Sequence, residues 1–402
     1  MVKINSLKAV VKKLAVVSSS AVLMTLSMNA SAMAAIFYNL TDLGTLPGGT
    51  SSTAYGINDF GQVVGTSSIS NGSRAFLWSP NIGMTDLGFL PDLPEDEYSD
   101  DYDISSVSLR YDSVAYDINN LGQVVGTSTV DFAECCFGYR PAPRSFIWSN
   151  DMGMFSIGDL LGDIYGDFAN AINNRGEVVG ASGRFGAQPY LWSEDIGVPI
   201  NFLNSSGIGV IAYDINDASQ IVGSLGTVPG GAFLWSRSDG FTSIAPSPSW
   251  EPDEQIYSEA YAINNLGQVV GIRWDSFFNN DTVFLWNEDT GITEIGSGVQ
   301  PTGINDKTQV VGFGGFFWSE KTGRLDLNNL IDPNLGWSIE RANAINNKGE
   351  IVGSGRNQNG ELRAFLLTPR TVSKTVPEPN TIGGILLAGM GLTYLRRRQR
   401  QL

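Results

Sequence analysis

A closed, all-β ring of four-stranded units is the architecture this sequence predicts. Three observations predict it: a twelve-residue stretch that returns along the chain, two strand-like runs behind each return, and end segments that complete one another. The stretch is AYGINDFGQVVG from Ala54. It returns from Ala115, Ala169, Ala212, Ala260, Pro301 and Ala342, and seven copies of one unit mark a repeat architecture.

Each copy reads as a hairpin. In the first, 54–57 is a short strand, Asn58-Asp59-Phe60-Gly61 a turn, and 62–66 a second, valine-rich strand. Asn or Asp suits the first position of a type I turn, and Gly at the fourth adopts the left-handed conformation that closes the hairpin. Asn holds its place in every copy (58, 119, 173, 216, 264, 305, 346), whereas Ser219 and Thr308 replace the Gly in two, where strain or a reshaped turn is expected. The Gly that ends each copy (65, 126, 180, 223, 271, 312, 353) signals a bulge or a close backbone approach.

An aromatic run follows, AFLW at 75–78 in the first copy, and then a fourth strand after a Gly five residues beyond the Trp, as in Met84-Thr85-Asp86-Leu87. Copies start 41 (Ala260 to Pro301) to 61 residues apart (Ala54 to Ala115), which suits propeller blades with insertions. The seventh copy stops after AFLL at 364–367, and Tyr38-Asn39-Leu40-Thr41-Asp42-Leu43-Gly44 matches the fourth-strand pattern. The N-terminal strand therefore completes the last blade, and a seven-bladed β-propeller over 36–370 is expected.

Flanking segments give an address. Residues 1–34 carry Lys3, Lys8, Lys12 and Lys13, an apolar run, and small residues at Ala30-Ser31-Ala32 or Ala32-Met33-Ala34. That is the form of a cleaved export signal, its apolar run short for a spanning helix. A linker at 371–379 leads into a tail at 376–402: Pro377-Glu378-Pro379, a short apolar helix candidate at 382–395, then Arg396, Arg397, Arg398 and Arg400. Basic clusters stay cytoplasmic, and the apolar run is marginal for permanent anchorage. Formal net charge is −16, and removing the leader and tail with their lysines and arginines leaves the ring more acidic still. Such a surface repels phosphate backbones, so nucleic acid is not an expected partner.

Two resemblances follow from these residues. The tail resembles the PEP-CTERM sorting signal of Gram-negative and cyanobacterial exported proteins over its whole length. That implies transient insertion in the inner membrane, cutting near Pro377-Glu378-Pro379 by an exosortase, and a cell-surface or extracellular destination in an exopolysaccharide matrix. The repeats at 38–368 resemble the HAF family of extracellular repeats, sharing the IN-x-x-G-x-VVG hairpin, the AFLW strand and the DLG-type strand. The chain departs from that family at its eponymous His, having none; Arg74, Arg144 and Arg363 stand before the aromatic strand instead.

Chemistry-bearing residues are sparse. Without His, the commonest general base and His-ligated metals are excluded. Trp78, Trp148, Trp192, Trp235, Trp286 and Trp318 recur once per blade, as core aromatics do; Trp274 and Trp337 fall outside the motif, as does Trp250, the best candidate for an exposed aromatic. The repeated Asn-Asp and Asn-Asn pairs are explained by turn formation. Asp92, Glu95, Asp96, Glu97, Asp100, Asp101 and Asp103 crowd one segment. Calcium suits such a segment in charge, but the ligand spacing and central Gly of an EF-hand are missing, so it reads as a solvated loop and no cofactor is expected. Cys135 and Cys136 are adjacent, and a bridge between them would be strained.

Loop lengths locate the function. The a–b and c–d turns keep their lengths, whereas the hairpin Gly lies 4 (Gly312 to Phe316) to 20 residues (Gly126 to Phe146) before the aromatic strand. Antiparallel geometry puts all the variation on one face, with the largest insertions at 89–114, 127–143 and 245–259. The expectation is a non-enzymatic module that binds a glycan or a matrix protein through that face, Trp250 and the acidic residues 92–103 being the candidate contacts. A carbohydrate-active enzyme with paired carboxylates and a purely structural matrix component are the competing readings.

Overall fold

A computed structural model describes residues 36–90, 109–132, 143–157, 166–182, 188–195, 200–201, 209–226, 231–245, 256–275 and 281–371. The segments expected to be an export signal and a sorting tail lie outside these residues.

Seven four-stranded antiparallel sheets form the seven blades of a β-propeller. In blade 1, strand a is Ser52–Ile57, strand b Val63–Ile69, strand c Gly72–Ser79 and strand d Gly83–Asp86. The a strands of the others are Leu109–Ile118, Asp167–Ile172, Ile211–Ile215, Ile256–Ile263, Pro301–Ile304 and Ser338–Ile345. Six blades pair in the order a-b-c-d. The seventh takes strands a to c from Ser338–Ile345, Ile351–Arg356 and Leu362–Thr371, and its strand d from Ile36–Asp42, so the ring closes as the sequence pattern requires. Leu43 N–H donates to Ala364 O at 3.0 Å as Leu87 N–H donates to Ala75 O at 3.0 Å in blade 1. Ser52 Oγ links Gly44 O to Ala364 N–H across the closing junction, as Ser113 Oγ links Gly88 O to Ala75 N–H. Closure thus uses the same parts as an internal junction.

The core lies between blades rather than inside any one. Val64, Ala75 and Leu87 of blade 1 pack on Ala115, Val124 and Phe146 of blade 2, and Val352, Ala364 and Leu366 of blade 7 pack on Ala54, Val63 and Phe76 of blade 1. The key aromatic is the first of each aromatic run: Phe76, Phe146, Phe233, Phe284 and Phe365 are wholly buried. The six motif tryptophans, expected in the core, behave differently. Trp192 alone is buried, and the other five pack against the edges of the clusters. Side chains two apart share a sheet face, so Trp78 covers the same seam as Phe76 but one step nearer the c–d turn, where the seam meets water. Trp274 and Trp337 are partly buried, the former stacked on Tyr257 with centroids 5.9 Å apart.

The glycine that ends each copy answers to close approach. A Cβ on Gly65 would lie 2.0 Å from Thr53 O, and one on Gly180 would lie 1.8 Å from Phe168 O. The bulge sits across the ladder on strand a, where the register shifts between Ala54 and Gly56, and it recurs at the same place in every blade.

Candidate functional site

The turn after each strand a stands at the axial opening. Its first residue is always Asn, and the fold uses all the hydrogen-bonding capacity of that amide. In blade 1, Asn58 Oδ1 accepts from Phe60 N–H and Gln62 N–H, while Nδ2 donates to Gln62 Oε1 at 2.7 Å. The remaining Nδ2 hydrogen goes to Asn119 O in the next blade at 3.1 Å. The same bond runs from Asn119 to Asn173, Asn216, Asn264, Asn305, Asn346 and back to Asn58, at 2.9 to 3.1 Å. A second ring runs beside it. Asp59 N–H donates to Asn120 Oδ1, Asn120 to Asn174, and so on through Asp217, Asn265, Asp306 and Asn347 back to Asp59, at 2.7 to 2.9 Å. Turn formation is half of the reason for these residues; stitching the blades together is the other half. The fourth residue after each Asn is always Gln or Glu; it takes one Nδ2 hydrogen within the turn and leaves the other for the next blade.

Ser219 and Thr308 keep the turn rather than reshaping it. They are the two non-glycine residues with positive φ among the described residues, at 57° and 55°. Each hydroxyl bonds to the preceding blade, Ser219 Oγ to Glu177 Oε2 at 2.6 Å and Thr308 Oγ1 to Gln268 Oε1 at 2.9 Å. Those bonds offset the backbone cost of about 1 kcal/mol.

The opening itself is a cavity of about 180 Å³ lined by the seven Ile-Asn-Asp/Asn triplets. Asp59, Asp217 and Asp306 face it, but their carboxylates are taken up by neighbouring backbone and amide N–H groups. Among the described residues no three acidic or thiol groups are gathered as metal ligands.

Deeper along the axis, two carboxylates act as clamps. Asp117 accepts from Ile118 N–H at 2.8 Å and, across the blade junction, from Ile172 N–H at 2.9 Å. Asp214 does the same with Ile215 and Ile263, both at 2.8 Å. Burial pushes Asp117 up to about 7, with Asp214 adding to the rise and the N–H donors opposing it; burial likewise raises Asp214 to about 6. Other blades carry Gly or Ala at this position, where strands run close: a Cβ on Gly56 would lie 3.0 Å from Asp117 Cα. The bulge residues form the next layer. Tyr55 leans on Tyr116 and Tyr213 on Tyr261, with centroids 5.7 and 5.3 Å apart, while Asn170, Thr302 and Asn343 bond to the next blade's Ala carbonyl.

On the opposite face, blades 2 and 5 rise above the ring. Strands a and b of blade 2 stay paired from Ile118↔Val124 out to Leu109↔Phe132, and those of blade 5 out to Ile256↔Asp275. These ribbons lead into the insertions expected to bind partners. Phe89 stacks on Tyr111 at 4.4 Å with the Arg74 guanidinium 4.6 Å above it, and Tyr257 stacks on Trp274. Trp250, Asp92, Glu95, Asp96, Glu97, Asp100, Asp101, Asp103 and the Cys135–Cys136 pair lie outside the described residues, as do Pro377, Glu378, Pro379, Arg396, Arg397 and Arg398.

No family model and no curated protein matches this chain. Among solved structures it is similar to a streptogramin B lyase, with 8% identity over 83% of this chain and 98% of that one and a TM-score of 0.45. It is also similar to YCF48 bound to a D1 peptide, with 10% identity over 84% and 97% and a TM-score of 0.43. TolB from Acinetobacter baumannii matches at 10% identity over 84% of this chain and 65% of that one, with a TM-score of 0.38.

Proposed function

We propose that the protein is an exported, non-enzymatic binding module that engages a glycan or a matrix protein through the insertion-bearing face. The observation that carries this reading is the extension of blades 2 and 5 beyond the ring, with stacked aromatic pairs on ribbons that lead into the longest insertions. Binding residues gather on loops held by a rigid scaffold, and the two amide rings supply that rigidity at the ribbons' base. The leader and the PEP-CTERM-like tail favour delivery to the cell surface through an exosortase, where polysaccharide and matrix protein are the available partners. The test is a glycan and matrix-protein binding screen on the exported chain, with segments 91–108, 133–142 and 246–255 each replaced by a short Gly/Asn turn. Loss of binding with an unchanged melting profile supports the reading; undiminished binding moves the protein to a structural role.

A second reading, a carbohydrate-active enzyme, draws on Asp117 and Asp214, two carboxylates of raised pKa on the axis. Their four bonds to backbone N–H groups are accounted for by clamping blades. Polysaccharide hydrolysis that disappears in Asp117→Asn would favour the enzyme.

A further inference from the structure

The face of constant turns carries features that the repeat does not demand. At the exposed third position of the a–b turn, blades 1, 2 and 5 place Phe60, Leu121 and Leu266, where blades 3, 6 and 7 place Arg175, Lys307 and Lys348. Blades 1 and 2 add Ile82 and Met152 in their c–d turns, 80% and 60% exposed. Blades 1 and 2 therefore each present two exposed apolar turn residues, and that sector of the face is its most apolar, as at interaction sites.

That sector borders a groove of about 740 Å³ between blades 2 and 3. Buried Ile147, Ile157 and Trp192 form its floor, and Leu121, Met152 and Phe155 stand along one rim. Glu194 and Asp195, in the c–d turn of blade 3, form the other rim, where Arg175 is already engaged by Glu177 at 2.7 Å. A smaller groove of about 470 Å³ between blades 4 and 5 repeats the design, with Leu266, Trp286 and the acidic pair Glu288 and Asp289. The Glu-Asp pair occurs at this turn in blades 3 and 5 and in no other blade.

We infer that the blade 2–blade 3 groove is a second interaction site, which takes an extended peptide segment of a partner protein carrying apolar side chains beside Lys or Arg. Charge complementarity argues for a basic partner, since the acidic pair faces an apolar floor on a strongly acidic chain. Flexible Met and Leu at the rim suit peptide side chains, and the one Trp is buried in the floor, so no open indole face is offered to a sugar. This site is separate from the insertion-bearing face and stands or falls independently of it.

The test uses the full chain and a fluorescein-labelled octapeptide of leucine, phenylalanine and arginine, read by anisotropy. Its counterpart with glutamate for arginine and a panel of neutral oligosaccharides serve as comparisons. Saturable binding of the basic peptide is expected, weakened at least about tenfold both by Met152→Ser/Phe155→Ser and by Glu194→Lys/Asp195→Lys. Glu320→Lys in blade 6 should leave it unchanged. Since all four altered side chains are at the surface, unchanged melting profiles are expected, and either double variant suffices should the other fail to fold. Any of four results overturns the proposal: no binding, equal loss in Glu320→Lys, oligosaccharide binding lost in the same variants, or sedimentation showing that this sector instead joins two copies of the chain.

Discussion

The two faces of the ring solve opposite problems with the same strands. On the turn face, seven copies of one short turn are locked to each other by two closed circles of hydrogen bonds, and no copy changes length. On the other face the same strands run on for different distances, from Thr302's short blade 6 to the ten-residue strand Leu109–Ile118, and lengths vary freely. Invariance sits where each blade must match both neighbours at once, because a changed turn would break bonds in two junctions. Variation sits where a ribbon answers to its own partner strand alone.

The sharpest way to break this contrast is to open the circle. A chain beginning at Thr50 loses Tyr38, Leu43 and Leu46, all buried, and bares the outer edge of Leu362–Thr371. Three such side chains are worth about 5 kcal/mol or more, close to the whole stability of a typical domain, so aggregation or a collapse of the thermal transition is expected. A melt matching the full ring would show that closure contributes little.

Next comes a single ring amide. Asn58→Ala removes four side-chain bonds and leaves buried N–H and C=O groups without partners, a loss of about 2–4 kcal/mol by chemical denaturation. Excising the 133–142 insertion should cost less than about 0.5 kcal/mol. If the two losses prove equal, the faces are not different in kind.

The axial clamps give a pH-dependent effect. The folded-state pKa values of Asp117 and Asp214 lie above those of an unfolded chain, so the folded ring binds more protons than the unfolded chain between about pH 4 and pH 7. Stability therefore falls as pH rises through that window, and the loss is complete above about 7. Melting temperature against pH should have a flatter slope in Asp117→Ala/Asp214→Ala, whatever its absolute level; an unchanged slope would assign the dependence to surface carboxylates.

The smallest effect distinguishes turn strain from stitching. Ser219→Gly relieves a positive φ but loses the bond to Glu177, and should change stability by less than about 0.5 kcal/mol. Ser219→Ala keeps the strain and loses the bond, costing about 1 kcal/mol.

What was legible in the sequence is what repeats. The hairpin, the aromatic strand and the exchange of a terminal strand follow from local patterns, because a blade's own pairing is local. The amide rings were hidden, since each bond joins residues in different copies and Asn already has a sufficient reason to stand in a turn. Burial of Phe76 over Trp78 was hidden likewise, because periodicity assigns both to one face and says nothing of how far that face extends under the next blade. Asp117 and Asp214 stood out as departures from Gly and Ala only once the strands were seen to converge.

Strand exchange also fixes how the molecule bears load. Ile36–Asp42 and Leu362–Thr371 lie side by side, so the described chain enters and leaves the ring at a single blade. Tension between the two ends would part that pair rung by rung, each bond meeting the force alone. Tension beyond Thr371 alone would pull a strand flanked on both sides by Ile36–Asp42 and Ile351–Arg356, which must slide past two ladders together. The ring is a clasp that opens easily when both ends are drawn apart and holds when only its C-terminal end is tethered.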